Sequence, residues 1–184
     1  SMINALGIIK RSAAIVNHQL GILDEKLKNA IVQAADEVIK GRFDNQFPID
    51  IFQTGSGTSS NMNCNEIIAN RASELMGGKI GTREPVHPNN HVNMGQSSND
   101  VIPTAIHIAA NTMLEKELIP SLQKMADELK KKATEFSDIV KIGRTHLQDA
   151  TPITLGQEFS GYAQMVKNGK QRIHNVQALL SELA

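Results

Sequence analysis

Residues 151–180 read TPITLGQEFSGYAQMVKNGKQRIHNVQALL, and their periodicity decides the fold class. Leu155, Phe159, Tyr162, Val166, Gly169, Ile173, Val176 and Leu180 recur at alternating spacings of four and three, with only Gly169 interrupting the apolar seam. That period is the signature of a helix packed along its length against other helices. Thr151 is expected to cap this helix, and Pro152 suits its first position. From Pro152 to the chain end it would run on the order of 45 Å. So long a helix fits a bundle better than a compact domain of 184 residues. The chain ends at Ala184 without a stop signal, so bundle partners are expected beyond this sequence, on other chains, or both.

Outward from that seam the same helical spacing dominates, and almost nothing alternates with period two, so the chain is expected to be all-α. A first helix is predicted over 2–18. Asp24 caps a second, with Leu27, Ile31, Ala35 and Val38 on one stripe and Gly41 marking its end. Ile67, Ile68, Ala72, Leu75 and Met76 form another face, closed by Gly77-Gly78. A further element spans about Asp100 to Ala133, with Pro103 in its first turn and Pro120 as a kink or break. These elements divide into an N-terminal helical domain, 1–96, and a partial central bundle of long helices, 97–184.

Composition narrows the partners. Nineteen Lys and Arg balance nineteen Asp and Glu, leaving no electrostatic footprint for nucleic acid or an anionic membrane. No apolar run approaches transmembrane length. The one cysteine, Cys64, excludes an internal disulfide framework, fits a reducing compartment and reads as a small buried apolar side chain. Ser1-Met2 reads as an expression scar, so the start says little about targeting.

Three polar stretches stand out, each leading toward a predicted helix. Thr54-Gly55-Ser56-Gly57-Thr58-Ser59-Ser60-Asn61 pairs free-turning glycines with neutral donors, suiting a carboxylate or phosphate, yet it lacks the lysine and spacing of a P-loop. A flexible turn explains its composition equally well. The second, His87 to Asp100, is crowded with amides, hydroxyls and imidazoles. His87 and His91 hint at metal ligation, but Pro88 argues against a continuous helix through them and no carboxylate pair completes a site. Ser97, Ser98 and Asn99 read better as an anion-binding rim at a helix start; capping by Ser98 or Asp100 explains one residue, not the cluster. The third, Gly143 to Pro152, sets Thr145 beside His146 near the positive end of the long helix. Arg144 can offset anionic charge there, Gln148 offers a hydrogen bond, and Asp149 either orients the ring or pairs with Arg144.

The strings TGSGTSSNMN from Thr54, HPNNHVNMGQSSND from His87 and KIGRTHLQDATP from Lys141 closely resemble the three N-terminal blocks of class II fumarate hydratases, in the aspartase/fumarase superfamily. The resemblance spans nearly the whole chain. It implies reversible anti addition of water to fumarate, giving L-malate, a tricarboxylic acid cycle reaction needing neither metal nor organic cofactor. By the same resemblance Ser56, Gly57, Thr58, Ser97, Ser98, Asn99 and Thr145 bind the substrate carboxylates. His146 serves as the acid/base residue that handles the water. His87, Pro88, Asn89 and Asn90 match a second, peripheral dicarboxylate site, with Asn90 where the family has aspartate.

The family's Gly-Ser-Ser-x-Met-Pro-x-Lys-x-Asn loop, source of the carbon-deprotonating serine and of a substrate-binding lysine and asparagine, is absent from this sequence. The chain is therefore expected to be inactive alone. Family members are homotetramers, each active site drawing on three chains, and are cytoplasmic, or mitochondrial in eukaryotes. Aspartate ammonia-lyases, the nearest alternative, carry glutamine where this chain has His146, and Ser-Thr-Asn-Asp where it has Ser97-Ser98-Asn99-Asp100. A non-catalytic helical assembly module on the same scaffold is the alternative outside catalysis.

Overall fold

The computed structural model describes residues 1–50, 52–53 and 55–183; Thr54 of the first polar stretch and the terminal Ala184 lie outside the described residues. The order is α1 (Met2–Gln19), α2 (Glu25–Ile39), α3 (Thr58–Leu75), α4 (Ser98–Met113), α5 (Ile119–Glu135), β1 (Val140–Arg144), β2 (Asp149–Thr154) and α6 (Leu155–Leu180). Two compact regions are distinguished, Ser1–Ala109 and Ala110–Glu182.

In the first region the helix ends fall where capping chemistry puts them. Asp24 accepts from the Lys26 and Leu27 N–H groups and starts α2. Gly41 and Gly77, both at positive φ, follow the ends of α2 and α3. The predicted stripe on α2 is buried at Ile31, Ala35 and Val38, and the α3 face at Ile68 and Ala72. They meet Leu6, Val86 and Val92 in one continuous core. Glu37 of α2 accepts two hydrogen bonds from the Arg71 guanidinium of α3, at 2.9 and 3.2 Å, adding a directional tie to that apolar contact.

The second region is a long helix pair with a hairpin. α4 passes into α5 through a π-helical turn, Leu114–Leu118, which absorbs the irregularity ahead of Pro120. α5 packs on α6 around Ala126, Gly156 and Ala163. Phe136 meets Phe159 edge-on, with centroids 5.3 Å apart. A Cβ at Gly156 would press into the backbone at Ala133 and Ser137, so α6 begins at a close backbone approach.

The fold is mostly helical as expected, with two corrections here. Residues 140–154 form an antiparallel ribbon pairing Val140 with Thr154, Lys141 with Ile153 and Ile142 with Pro152, shifted in register before Arg144 pairs with Asp149. Val140, Ile142, Thr151, Ile153 and Thr154 supply the β-branched residues that favour it. Thr151 and Pro152 therefore lie in β2 and do not open the helix. Thr154 does: its hydroxyl accepts from the Gln157 N–H while the Gln157 side chain accepts from the Thr154 N–H. Thr-x-x-Gln is the capping-box spacing, a stronger start signal than Thr151-Pro152. α6 thus has 26 residues, about 39 Å at the standard rise.

Candidate active site

Two helix starts meet in the first region. Gly57, at φ +68°, turns the chain into α3, and Ser56 Oγ and Thr58 Oγ1 lie 3.1 Å apart just before and inside its first turn. A Cβ on Gly57 would be strained at this positive φ and would sit 2.9 Å from Ile102 Cδ1 of α4, so glycine suits the close approach of this turn to α4. One turn into α3, Asn61 donates from Nδ2 to Ser98 Oγ at 2.9 Å. Ser56, Gly57, Thr58, Ser97, Ser98 and Asn99 are thereby gathered around two neighbouring helix N-termini. Such positive ends, ringed by neutral hydroxyls, suit a carboxylate. The α4 cap differs from expectation. Ser97 takes that place, its Oγ accepting from the Asn99 N–H and its carbonyl from Asp100 and Val101, because Ser98 Oγ is engaged by Asn61.

A cleft of about 400 Å³ opens beside the Gly55–Gly57 turn, lined in part by Leu6, Phe47, Gln53, Ser60 and Ile102. The larger groove, about 540 Å³, lies along Ala110–Ser121 of the second region and offers little beyond apolar side chains and Glu117. The polar chemistry is not there.

Beneath the loop entering α4 lies a group that the sequence reading missed. Lys10 of α1 is fully buried, and its Nζ donates to Asn93 Oδ1 and Gln96 Oε1, both at 2.9 Å. Burial lowers its ammonium from 10.5 to about 8, with Cys64 opposing, and pushes the Cys64 thiol up to about 12, with Lys10 opposing. Cys64 is therefore the inert buried thiol expected. A sequence signal for Lys10 existed: Leu6, Lys10, Ala14 and Asn17 follow helical spacing, so a cation stood inside a core stripe.

The segment His87–Asn90 begins a single π-helical turn, Pro88–Val92, with His87 as its cap. His87 Nδ1 accepts from the Asn89 and Asn90 N–H groups, at 3.1 and 3.2 Å, and His91 Nδ1 accepts from the His87 N–H at 2.9 Å. Burial and the neighbouring His87 lower the His91 imidazole below its ordinary value. The Nδ1 atom of each ring is thus engaged in holding the turn.

Thr145 and His146 belong to the second region, at the tip of the β1–β2 ribbon. The Thr145 N–H donates to the Gln148 carbonyl at 3.0 Å, closing a turn with Leu147 at φ +56°. His146 is exposed. The tip is carried on a ribbon whose far end enters α6, so its donors do not sit at that helix's N-terminus as expected. Arg144 and Asp149 pair at 3.0 Å across the base of the turn, which resolves the two roles open to Asp149 in favour of the ion pair.

A helical chain with a short ribbon between α5 and α6, and with anion-suited hydroxyl loops at the starts of α3 and α4, defines a class, and a family profile described as lyase matches residues 1–184: the chain belongs to that lyase family. Within it, the chain is 60% identical over 183 residues to the mitochondrial fumarate hydratase of Saccharomyces cerevisiae, covering 100% of this chain and 37% of that protein. It is 59% identical over 182 residues to the class II fumarate hydratase of Halobacterium salinarum, covering 99% and 38%. The recombinant class II fumarase of Schistosoma mansoni superposes with a TM-score of 0.95 at 46% identity, over 99% of this chain and 38% of that one. The chain thus spans less than half the length of these relatives. No described helix is long and apolar enough to cross a membrane.

Proposed function

We propose that this chain is the N-terminal part of a class II fumarate hydratase and contributes the carboxylate-binding loops and the acid/base histidine of its active site. The observation that carries this reading is the pairing of the α3 and α4 starts through Asn61 and Ser98. Ser56 and Thr58 from one helix start, with Ser97, Ser98 and Asn99 from the other, hold the dicarboxylate by hydrogen bonds that strengthen as charge develops on the carboxylate next to the deprotonated carbon. Neutral donors suit this task because they stabilise that charge without burying a counter-ion.

In the hydration direction water adds to one alkene carbon and a proton to the other, anti across the double bond, giving L-malate. His146 takes the proton from the attacking water, or returns it to the departing hydroxyl in reverse, and Thr145 beside it binds a carboxylate. The group that exchanges the carbon-bound proton comes from outside this chain, which is why the isolated chain is expected to be inactive. A homotetramer brings the exposed ribbon tip of one chain to the helix starts of another. Functionally the chain divides at 96/97, into a loop-bearing domain and the opening of a helical bundle. A cytoplasmic or mitochondrial setting is supported by the free thiol of Cys64. At the peripheral turn a dicarboxylate would meet the exposed Asn89 and Asn90 side chains, because His87 holds their backbone donors.

The test is fumarate absorbance after adding L-malate to this chain assembled with the C-terminal region of a class II fumarase, with L-aspartate in parallel. Turnover of malate alone is expected. Turnover of aspartate would establish an ammonia-lyase instead, and defined oligomers that bind no dicarboxylate would establish a structural module.

A further inference from the structure

We propose that Lys10 is a positioning residue for the dicarboxylate site: its buried ammonium sets the hydrogen-bond polarity of the loop entering α4 and so leaves the Ser98 hydroxyl as an outward donor. The inference rests on the functional reading above and adds a residue to it.

The geometry runs through three amides. A lysine ammonium only donates, so Asn93 Oδ1 and Gln96 Oε1 must both face Nζ, and neither amide can flip. With its oxygen committed, Asn93 donates from Nδ2 to the Gln96 carbonyl, and Gln96 donates from Nε2 to the Val92 and Met94 carbonyls. These bonds staple 92–96 into one shape. Asn93 Oδ1 also receives the Asn61 Nδ2, at 3.4 Å, and the same Nδ2 donates to Ser98 Oγ at 2.9 Å. Ser98 Oγ is therefore an acceptor on its inner side, and its own proton is free for an anion. Reversing the amide of Asn61 would turn Ser98 into an inward donor and point its lone pairs at the substrate.

The arrangement is costly for the fold. Among the described residues, a cation is buried without a carboxylate partner, and Asn61 Oδ1 and Asn65 Oδ1 are buried without hydrogen-bond partners. Such concentrations of unfavourable burial are expected where a site must be held in one state. The titratable group facing Lys10 from α3 is Cys64, held as a neutral thiol; the groups facing it from the loop are the uncharged Asn93 and Gln96.

The test compares wild type with Lys10→Met, Ser98→Ala and the double variant in the assembled enzyme, measuring kcat and KM for L-malate and the inhibition constant of succinate from pH 6.5 to 9. With wild type, KM and the succinate constant should rise as pH passes about 8, where Lys10 loses its charge and, as a neutral amine with a lone pair, can also accept from a reversed Asn93 or Gln96 amide, so that the polarity is no longer enforced. Lys10→Met should raise both about tenfold at pH 7, by the usual worth of a hydrogen bond to a charged group, change kcat less, and flatten that alkaline rise. The Lys10 and Ser98 effects should be non-additive in the double variant, since one acts through the other. A folded Lys10→Met tetramer with unchanged KM, or a raised KM that keeps the wild-type pH profile, overturns the proposal. If Lys10→Met does not assemble, the wild-type profile decides: no alkaline rise overturns it, and a rise that Lys10→Gln reduces supports it. Wild type that binds no succinate and leaves malate untouched overturns the functional reading and this inference together, whereas normal wild-type turnover with an indifferent Lys10 overturns this inference alone.

Discussion

The two regions of the chain solve opposite problems. Ser1–Ala109 encloses its own core, with Leu6, Ile31, Val38, Ile68, Val86 and Val92 all but removed from solvent. In Ala110–Glu182, among the described residues, the fully buried apolar side chains are Ala126 and Ala163, while Met165 and Leu179 remain 67% and 64% exposed. The first region therefore carries the hydroxyls proposed to bind carboxylates on a core of its own. The second presents a histidine at the end of a ribbon and an apolar helix face still in contact with water, the character of a surface completed by further helices. On the proposed reading, the first region supplies the binding half of the site and the second a half whose placement depends on assembly.

The largest expected effect tests the exposed half. His146→Asn in the assembled enzyme should lower kcat for malate by about 10²–10⁴ with the oligomer mass unchanged, as measured by stopped assays and light scattering; near-normal turnover would remove His146 from the mechanism. Next, the contrast in cores can be broken directly by urea unfolding. Ile31→Ala should cost about 2–5 kcal/mol, whereas Leu179→Ala should stay within about 0.5 kcal/mol and instead reduce self-association. Equal costs would mean that the second region has a core of its own.

A smaller effect belongs to Lys10. Its folded value, about 8, lies below the ordinary 10.5, so above pH 8 the unfolded chain binds more protons than the folded one and stability rises with pH. Cys64 works the other way as pH approaches and passes 9, its thiol being held neutral in the fold. Between pH 8 and 9 Lys10 should therefore contribute a gain of about 1 kcal/mol, which Cys64 offsets in part and Lys10→Met abolishes. The smallest effect is at the ribbon: Asp149→Asn breaks an ion pair exposed on both sides and should change stability by less than about 1 kcal/mol.

How much was legible follows from how local each signal is. Asp24, Gly41 and Gly77-Gly78 bound their helices as read, because a cap is decided within four residues. The ribbon was missed because its strands are short, carry a glycine and a proline, and lie inside a loop that also contains a plausible cap. Thr154 and Gln157 held the better signal. The α6 seam was read as one apolar face, but only part of it meets α5. Gly156 and Ala163 make the close contact, and Tyr162 and Val176 are left largely exposed. Periodicity identifies an apolar face without saying which neighbour covers which part of it.

By itself the sequence determined the helical class, most helix ends, the three polar loops and the family they resemble, since these depend on residue type and spacing over short stretches of chain. Only the tertiary structure decided that the α3 and α4 starts are neighbours, that Asn61 reaches Ser98, and that Lys10 lies buried against Asn93 and Gln96. Those contacts join residues tens of positions apart, and their chemistry depends on which way an amide faces once the chain has closed around it.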